Sequence, residues 1–306
     1  MSKIAFLYPG QGAQKAGMGK DFYENSPLAR ELYDEASKAL GLDLRKLCFT
    51  ENDRLDLTEY TQAALVTTCL AMTRVVRELG LKPDITAGLS LGEYAAIAAA
   101  GGVKELDAIR LVRKRGILMQ NTVPAGEGAM CAVLALDAEE IEKTIADMED
   151  VTIANYNCPG QIVITGRKPA VEQAAERLKE AGAKRTVMLN VSGPFHSPLL
   201  LPAGRELARG LEQTDLSPLQ LPYVTNVTAG LIEDVKETKE LLAAQVSAPV
   251  RWMQSMETML AEGVDTFVEI GPGKTLAGFL KKINREAKVY NIAAWEDAEK
   301  VAGELC

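Results

Sequence analysis

The sequence predicts an α/β fold in which a large domain with a mostly parallel sheet carries a smaller, inserted domain. Three observations support it. Short apolar runs alternate with long amphipathic stretches in the first part of the chain, the pattern changes near Gly128, and helices resume beyond Pro198. The 306 residues, 47% of them hydrophobic, suffice for such a unit. We expect 1–124 and 195–306 to form the large domain and 125–194 the small one.

The large domain begins with a regular alternation of strands and helices. Apolar runs predict strands at 3–8 and 85–89, and amphipathic stretches predict helices near 27–40, 60–79, 91–100 and 105–120. This rhythm is typical of a parallel sheet covered by helices. A strand at 265–270 leads into Gly271-Pro272-Gly273 and another helix, so the chain is expected to return to this domain.

The small domain has a different order of predicted elements. They are strand 129–135, helix 138–147, strands 151–156 and 161–165, helix 168–181 and strand 185–191. The two middle strands would form a hairpin across Cys158-Pro159-Gly160. This βαββαβ order is typical of ferredoxin-like domains.

Composition narrows the classes of function. With 34 basic and 42 acidic residues, the chain has no overall basic field that would attract nucleic acid. Five cysteines without CxxC spacing and a single histidine indicate reduced thiols and no zinc site. No signal-peptide pattern and no apolar run of bilayer length are present. We therefore expect a cytoplasmic protein with no membrane or nucleic-acid partner.

The first motif with chemical meaning is Gly88-Leu89-Ser90-Leu91-Gly92, which fits G-x-S-x-G. It lies between a predicted strand and a predicted helix, as a nucleophile elbow requires. Small residues at both ends permit the sharp turn. The serine oxygen would project from it, while the backbone N–H of Leu91 and the start of the helix face a developing oxyanion.

The second candidate is His196, the one histidine of the chain. A serine hydroxyl needs a neighbouring base, and histidine is the usual one near neutral pH. The residue follows the last predicted strand of the small domain, in a loop between Pro194 and Pro198 that could hold the imidazole over a cleft. No carboxylate stands out as its orienting partner.

The third candidate is Arg115, on the predicted helix 105–120. Its spacing places it on the apolar face of that helix. A guanidinium that faces the core must be paired, because an unpaired buried charge costs several kcal/mol. A structural ion pair would satisfy it, and so would a substrate carboxylate, which arginine matches with two hydrogen bonds.

Two glycine turns resemble phosphate-binding motifs but fail on spacing. Gly10-Gln11-Gly12 follows a strand as a dinucleotide fingerprint does, but Lys15 stands where that motif needs glycine. Gly273-Lys274-Thr275 resembles the end of a P-loop, but Val268 stands at the first glycine position. We interpret both as tight strand-to-helix turns at one sheet edge.

Taken together, several motifs resemble those of malonyl-CoA:acyl carrier protein transacylases, and they span nearly the whole chain. The motifs are Pro9-Gly10-Gln11-Gly12, Gly88 to Gly92 with Glu93 behind it, Arg115-Gly116, Asn155-Tyr156-Asn157 before Pro159-Gly160-Gln161, Phe195-His196, and Gln245 to Pro249. The resemblance implies a hydrolase-like large domain with a ferredoxin-like insertion.

The resemblance also implies roles for individual residues. Ser90 would be the nucleophile, His196 the base, and the backbone N–H groups of Gln11 and Leu91 the oxyanion hole. Arg115 would bind the malonyl carboxylate. The backbone carbonyl of Gln245 would orient the histidine in place of a triad acid.

The pocket positions follow from the same resemblance. Phe195 resembles the variant associated with malonyl rather than methylmalonyl, and Asn157 is a further expected substrate contact. Leu89 departs from the family, which usually has histidine there, and we expect it to adjust the pocket.

The implied reaction moves malonyl from malonyl-CoA to the phosphopantetheine thiol of acyl carrier protein, for fatty acid synthesis. It would run through an acyl-serine with ping-pong kinetics, without metal or redox cofactor. The enzyme is expected to be a monomer that meets the carrier protein transiently. Four basic residues could meet that acidic partner, or could form an ordinary solvated helix face: Lys274, Lys281, Lys282 and Arg285.

Two other interpretations stay open on the residues alone. A serine esterase or thioesterase also uses G-x-S-x-G with a histidine. Arg115 on an apolar face and the lack of an evident triad acid argue against it. A non-catalytic module that docks carrier protein would make the elbow vestigial, which the presence of Ser90, His196 and Arg115 disfavours.

Overall fold

The computed structural model describes residues 2–191 and 193–306. Met1 and Ser192, the second of which belongs to the predicted small domain, lie outside the described residues. The strands are β1 Ile4–Tyr8, β2 Ile85–Gly88, β3 Gly128–Leu134, β4 Val151–Cys158, β5 Gln161–Arg167, β6 Arg185–Met188, β7 Tyr223–Val224, β8 Leu231–Ile232, β9 Thr266–Ile270 and β10 Lys288–Ile292.

The α-helices complete the description of the elements. They are α1 Lys20–Asn25, α2 Pro27–Leu40, α3 Leu44–Phe49, α4 Thr58–Glu78, α5 Gly92–Ala99, α6 Glu105–Thr122, α7 Ala138–Ile145, α8 Lys168–Glu180, α9 Leu201–Glu212, α10 Thr238–Gln245, α11 Trp252–Ala261, α12 Thr275–Ile283 and α13 Trp295–Leu305.

The larger sheet has the strand order β10-β9-β1-β2-β7-β8. Every pair is parallel except β7 with β8, so the predicted parallel-rich α/β sheet is confirmed. Side chains of a strand alternate between the two faces of its sheet. Accordingly, Phe6 and Tyr8 of β1 enter one core with α4 and α5, while Ala5 and Leu7 enter a second core with α11 and α12. Helices therefore cover both faces.

The smaller sheet has the order β4-β5-β3-β6, and all its pairs are antiparallel. Its elements follow the predicted order of strand, helix, two strands, helix and strand. Cys131 and Val133 of β3 pack with α7 and α8. Met130 and Ala132 point to the opposite face and join the core of the larger sheet. One face of the small sheet thus closes over the large one.

Two expectations for local structure are wrong. The strand expected at 185–191 ends at Met188, because the N–H of Val191 donates to the carbonyl of Leu189 and turns the chain out of the ladder. The turn at Gly10–Gly12 is not a tight strand-to-helix turn, since α1 begins only at Lys20. Left-handed glycines interrupt this stretch, with φ of 103° at Gly12, and prevent an earlier helix. The turn from β9 into α12 is tight, as predicted.

Within residues 2–191 and 193–306, no helix combines the length and the apolar character needed to cross a bilayer.

Candidate active site

Ser90 occupies the turn between β2 and α5 with a φ of 53°, in the left-handed region. The turn is tight enough to require glycine on each side. A Cβ added to Gly88 would lie 1.9 Å from the carbonyl carbon of Gly92, and a Cβ added to Gly92 would lie 2.3 Å from the oxygen of Tyr8. The G-x-S-x-G pattern thus has a steric cause at both glycines.

The strained backbone of Ser90 is held from two sides. Its N–H donates to Oδ1 of Asn226 at 2.6 Å, and its carbonyl accepts from Nε2 of Gln245 at 2.9 Å. Nδ2 of Asn226 also donates to the carbonyl of Gly88 at 2.7 Å. A left-handed non-glycine residue costs on the order of 1–2 kcal/mol, so such a conformation persists where surrounding contacts determine it.

The side chain of Ser90 meets His196. Oγ lies 2.8 Å from Nε2 of the imidazole. Nδ1 faces two backbone carbonyl oxygens, of Gln245 at 2.9 Å and of Ala248 at 3.2 Å. Because a carbonyl can only accept, Nδ1 carries the proton and Nε2 is left as the acceptor for the serine hydroxyl.

The imidazole of His196 is neutral near pH 7. Burial and, second, the positive charge of Arg115 lower its pKa to about 4. The two carbonyl acceptors favour the protonated ring but do not outweigh burial. The ring is therefore available as a base over a wide range of pH.

Arg115 comes to the same serine from α6. Its side chain is buried, with 1% of its surface exposed. Nη2 donates to Oγ of Ser90 at 3.1 Å and to Oε1 of Gln245 at 3.0 Å, while Nη1 donates to Oε1 of Gln62 at 3.0 Å. Within residues 2–191 and 193–306, no carboxylate forms an ion pair with it. The amides of Gln62 and Gln245 accept from its two terminal nitrogens, while Nε has no hydrogen-bond partner among the described residues.

Burial also affects the pKa of this guanidinium. It lowers the pKa of Arg115, while the neighbouring Tyr94 and Glu93 act in the opposite direction. An arginine remains charged under these conditions because its ordinary pKa is so high. The site therefore holds a desolvated, permanent positive charge beside the serine oxygen.

The backbone N–H groups of Gln11 and Leu91 are free at the edge of the site. Neither makes a hydrogen bond to any other residue in the described part of the chain. Both residues line the cleft that contains Ser90. The side chain of Gln11 is held in place by a hydrogen bond, in which Nε2 donates to Oγ1 of Thr58 at 3.0 Å.

The cleft lies between the two sheets and has a volume of about 190 Å³. Asn157 and Phe195, both buried, contribute to its wall, and so does Leu89. Much of the rest is apolar, formed by residues such as Met119, Met130 and Phe279. A cleft of this kind suits a small acyl group whose polar end meets Arg115.

The four candidate surface cations are exposed on α12 and the turns around it. Nζ of Lys281 donates to the carbonyl of Ala287, and Nζ of Lys282 to Oε1 of Gln161. No ion pair joins Lys274, Lys281, Lys282 or Arg285 to an acidic side chain of the described residues. Thr275 and Phe279 of the same helix line the cleft.

Two residues at the site were not predicted from the sequence. Asn226 and Gln62 are fully or almost fully buried, and each holds a candidate residue in place. Gln62 could have been noticed, since it lies in a helix whose neighbouring positions are apolar or small. Asn226 carries no such local signal.

Comparison with known proteins identifies the family. A model of the acyl transferase domain family matches residues 5–302. The malonyl CoA-acyl carrier protein transacylase of Bacillus subtilis (strain 168) is 47% identical over 304 residues, covering 98% of this chain and 96% of that protein. The protein of the same name from Staphylococcus aureus (strain MRSA252) is 40% identical, with 98% of each chain covered.

Solved structures agree with these sequence relatives. The MCAT from Streptococcus pneumoniae has a TM-score of 0.95 and 45% identity, covering 99% of this chain and 100% of that one. A malonyl-transacylase in complex with a type II polyketide synthase acyl-carrier protein has a TM-score of 0.96 and 38% identity, with 99% and 100% covered. The chain therefore belongs to the malonyl-CoA:acyl carrier protein transacylases of the acyl transferase domain family, and it is an acyltransferase.

Proposed function

We propose that this protein transfers the malonyl group of malonyl-CoA to the phosphopantetheine thiol of acyl carrier protein through a malonyl ester on Ser90. One observation carries the proposal: Oγ of Ser90 contacts both a neutral imidazole, at 2.8 Å, and a buried guanidinium, at 3.1 Å. The first contact suits a nucleophile and the second an acyl group that bears a carboxylate. The names of the similar transacylases support the same substrates.

In the loading half of the reaction, Oγ of Ser90 attacks the thioester carbonyl while Nε2 of His196 takes its proton. The free N–H groups of Gln11 and Leu91 would stabilise the oxyanion. Collapse of the intermediate breaks the carbon–sulfur bond, and the imidazolium returns the proton to the departing CoA sulfur. The products are malonyl-Ser90 and CoA thiol.

In the second half, the carrier-protein thiol gives its proton to Nε2 of His196 and attacks the ester carbonyl of malonyl-Ser90. The carbon–oxygen bond breaks, and the imidazolium protonates Oγ as it leaves. Malonyl carrier protein departs and the free enzyme is restored. Each step is a proton or acyl transfer, so these steps call for no redox cofactor and no metal.

The backbone carbonyls behind His196 suit this cycle. The carbonyls of Gln245 and Ala248 fix the tautomer without adding a buried negative charge. An imidazolium is then less stabilised than beside a carboxylate, in keeping with the low pKa of His196. Such an imidazolium readily returns its proton to a leaving thiolate.

Selection of malonyl would come from Arg115. Gln62 and Gln245 hold its two terminal nitrogens, and the guanidinium can still donate further hydrogen bonds. We assign a free Nη1 hydrogen and the Nη2 hydrogen that touches Ser90 to the malonyl carboxylate. Phe195 and Asn157 would limit the room for a branch on the acyl group, since both line the cleft.

We also infer the finer domain organisation from the topology. Residues 1–124 and 195–306 would form a hydrolase-like large domain, and 125–194 an inserted ferredoxin-like domain. The strand order β4-β5-β3-β6 with α7 and α8 on one face supports the second assignment. The parallel sheet with the serine elbow after β2 supports the first.

We place the carrier protein at α12, as a transient partner of a monomeric enzyme. Lys274, Lys281, Lys282 and Arg285 are exposed beside cleft residues of the same helix. Replacing Lys282 by Glu should raise the KM for carrier protein several-fold and leave the KM for malonyl-CoA unchanged. Equal KM values for carrier protein in the wild type and in Lys282→Glu would place the docking surface elsewhere.

The test of the proposed function is intact mass measurement after mixing the protein with malonyl-CoA. A malonyl adduct that maps to Ser90, absent in Ser90→Ala, is the expected result. Release of CoA without an adduct would indicate a hydrolase. Neither adduct nor release would indicate a docking module.

A further inference from the structure

A buried carboxylate lies beneath the serine elbow, on Glu93 in the first turn of α5. None of the proposed chemical steps uses it. Its Oε2 accepts from Nε2 of Gln245 at 2.6 Å and from the backbone N–H of Asn226 at 3.2 Å. Both partners also bind the backbone of Ser90.

The side-chain amide of Gln245 connects this carboxylate to Arg115. Its Nε2 donates to Glu93, and its Oε1 accepts from Nη2 of Arg115 at 3.0 Å. A carboxylate only accepts hydrogen bonds and a guanidinium only donates them. The amide can therefore satisfy both neighbours in one orientation alone, and a rotation by 180° would set donor against donor at Arg115.

We propose that Glu93, acting through the side-chain amide of Gln245, is a positioning residue that holds Arg115 ready for an acyl group with a free carboxylate. This inference rests on the proposed malonyl transfer. It gives the Gln245 side chain a role distinct from that of its backbone carbonyl, which faces His196.

The separation of the two charges is the reason for this assignment. An arginine without a nearby negative charge would be costly in a buried site. A carboxylate in direct contact would satisfy it, but would occupy the hydrogens that the substrate needs. One amide between them lets Glu93 stabilise the cation electrostatically while part of the guanidinium stays available.

The pKa of Glu93 sets the pH range in which this arrangement is complete. Burial raises the pKa of Glu93 to about 7, while hydrogen bonds from Gln245 and from the N–H of Asn226 and the charge of Arg115 act in the opposite direction. The carboxylate form therefore predominates above neutral pH, and the loading rates are compared at about pH 8. Its second oxygen, Oε1, has no hydrogen-bond partner within residues 2–191 and 193–306. Asn226 and Gln245 therefore hold the carboxylate through its other oxygen, and Glu93 in turn orients the Gln245 amide.

The test compares malonyl and acetyl loading of Ser90 in two variants of the full-length enzyme. Glu93→Gln keeps the volume and one acceptor oxygen but removes the negative charge and adds a donor, so position 93 no longer fixes the orientation of the Gln245 amide. Gln245→Met removes that amide but keeps the backbone carbonyl behind His196. We expect the ratio of malonyl to acetyl loading rates to fall about tenfold in each, since a hydrogen bond that involves a charged group becomes a neutral one in the first variant and is lost in the second. The ratio of malonyl to acetyl loading rates in Arg115→Ala gives the value expected when the guanidinium is lost completely.

Glu269→Gln is the matched control. Glu269 is also fully buried and accepts hydrogen bonds from Leu276 and Ala277, at the start of α12. Its loss should lower the melting temperature without shifting the loading ratio. A purely structural role of Glu93 would give the same pattern.

Three results would overturn the proposal. An unchanged ratio in Glu93→Gln would leave only a structural role. A raised ratio would mean that the carboxylate acts through its charge alone, because removing it then favours an anionic acyl group. If Glu93→Gln does not fold, an unchanged ratio in Gln245→Met would also reject the bridge.

These results are distinguishable from failure of the proposed function. If the wild-type protein forms no malonyl ester on Ser90, or if Arg115→Ala leaves the ratio unchanged, malonyl transfer itself is in question. If both behave as proposed and the two variants do not, only the role of Glu93 fails.

Discussion

Two strand-to-helix junctions flank β1 at the same edge of the large sheet, and they use backbone strain differently. The junction from β2 to α5 places a serine at a φ of 53°, whereas the junction from β9 to α12 places Gly271 and Gly273 at 145° and 85°. Glycine adopts such angles without a side-chain penalty. Ser90 needs a side chain to act as a nucleophile, and its left-handed φ therefore brings conformational strain.

The buried glutamates of the two junctions show the same contrast. Glu269 accepts from Leu276 and Ala277, within the helix that its own strand leads into. Glu93 is bound by Gln245 and Asn226, which lie far along the chain. A junction that only turns the chain is stabilised locally, while a junction that presents a reactive group is held by remote elements.

The largest effect is expected from removing the hydroxyl group of Ser90 at the serine elbow. Ser90→Ala should lower acyl transfer by at least about 10⁴-fold, since no acyl ester can form. Steady-state transfer to carrier protein measures it. Gly273→Ala, at the other junction, should leave the rate within about twofold, because a Cβ there meets no atom within 4 Å. Appreciable activity in Ser90→Ala would mean that another group accepts the acyl chain.

The next largest effect is expected from removing the side chain of Asn226, which supports the elbow from a distant part of the chain. Asn226→Ala leaves the N–H of Ser90 and the carbonyl of Gly88 without their partner. We expect a loss of about 3 kcal/mol in unfolding free energy and roughly a 100-fold slower loading of Ser90. Denaturant unfolding and single-turnover loading measure the two quantities.

Asn291→Ala is the matched change near the other junction. Nδ2 of Asn291 makes a 3.4 Å contact with the carbonyl of Glu269. We expect this variant to lose less than about 1 kcal/mol and to load at the wild-type rate. Equal effects of the two asparagine variants would remove the distinction between remote and local support.

The pH dependence of acyl loading tests how far the surroundings of the elbow lower the pKa of His196. Its pKa is lowered to about 4 in the folded enzyme. The neutral base then persists as the pH falls from 7 to 5, and kcat/KM for acetyl loading should change less than about twofold through this group. An imidazole with an ordinary pKa would lose activity about 25-fold. An acid limb centred near 6.5 would contradict the burial argument.

The same shift affects stability. Since the folded pKa lies below the unfolded one, the unfolded chain binds more protons between pH 6.5 and about 4. The contribution of His196 is therefore complete above pH 6.5 and is lost as the pH falls toward 4. Unfolding free energies of the wild type and His196→Ala should converge over that interval.

The smallest effect isolates the strain itself. Ser90→Gly and Ser90→Ala both lack the hydroxyl, but only alanine keeps a side chain at a φ of 53°. The glycine variant should be more stable by about 1 kcal/mol, and both should be inactive. Gly273→Ala should lose a similar amount, because its φ of 85° is equally unfavourable for a side chain. Equal unfolding free energies for the two Ser90 variants would mean that the elbow is not strained.

The sequence predicts those features that depend on local pattern. The alternation of apolar runs and amphipathic stretches places most strands and helices, because period and burial are linked within each element. Ser90 was predicted from flanking glycines that the turn requires, and Arg115 from a charge on an apolar helix face. Each signal lies within a few residues of the group concerned.

Features that depend on contacts between distant segments could not be predicted in this way. Asn226 lies 136 residues from Ser90, and its position after the two-residue strand β7 has no periodicity to interpret. Gln245 was expected to act through its backbone carbonyl only. Its side-chain bridge from Glu93 to Arg115 appears once three separate helices are packed together.

The most direct test of the central claim is a transfer experiment with the isolated acyl-enzyme. The protein is loaded with labelled malonyl-CoA, freed of CoA by gel filtration and mixed with carrier protein that bears phosphopantetheine. We predict that the label leaves Ser90 and appears as malonyl thioester on the carrier protein. Label that stays on Ser90, or that appears as free malonate at the same rate without carrier protein, would contradict the proposed transfer.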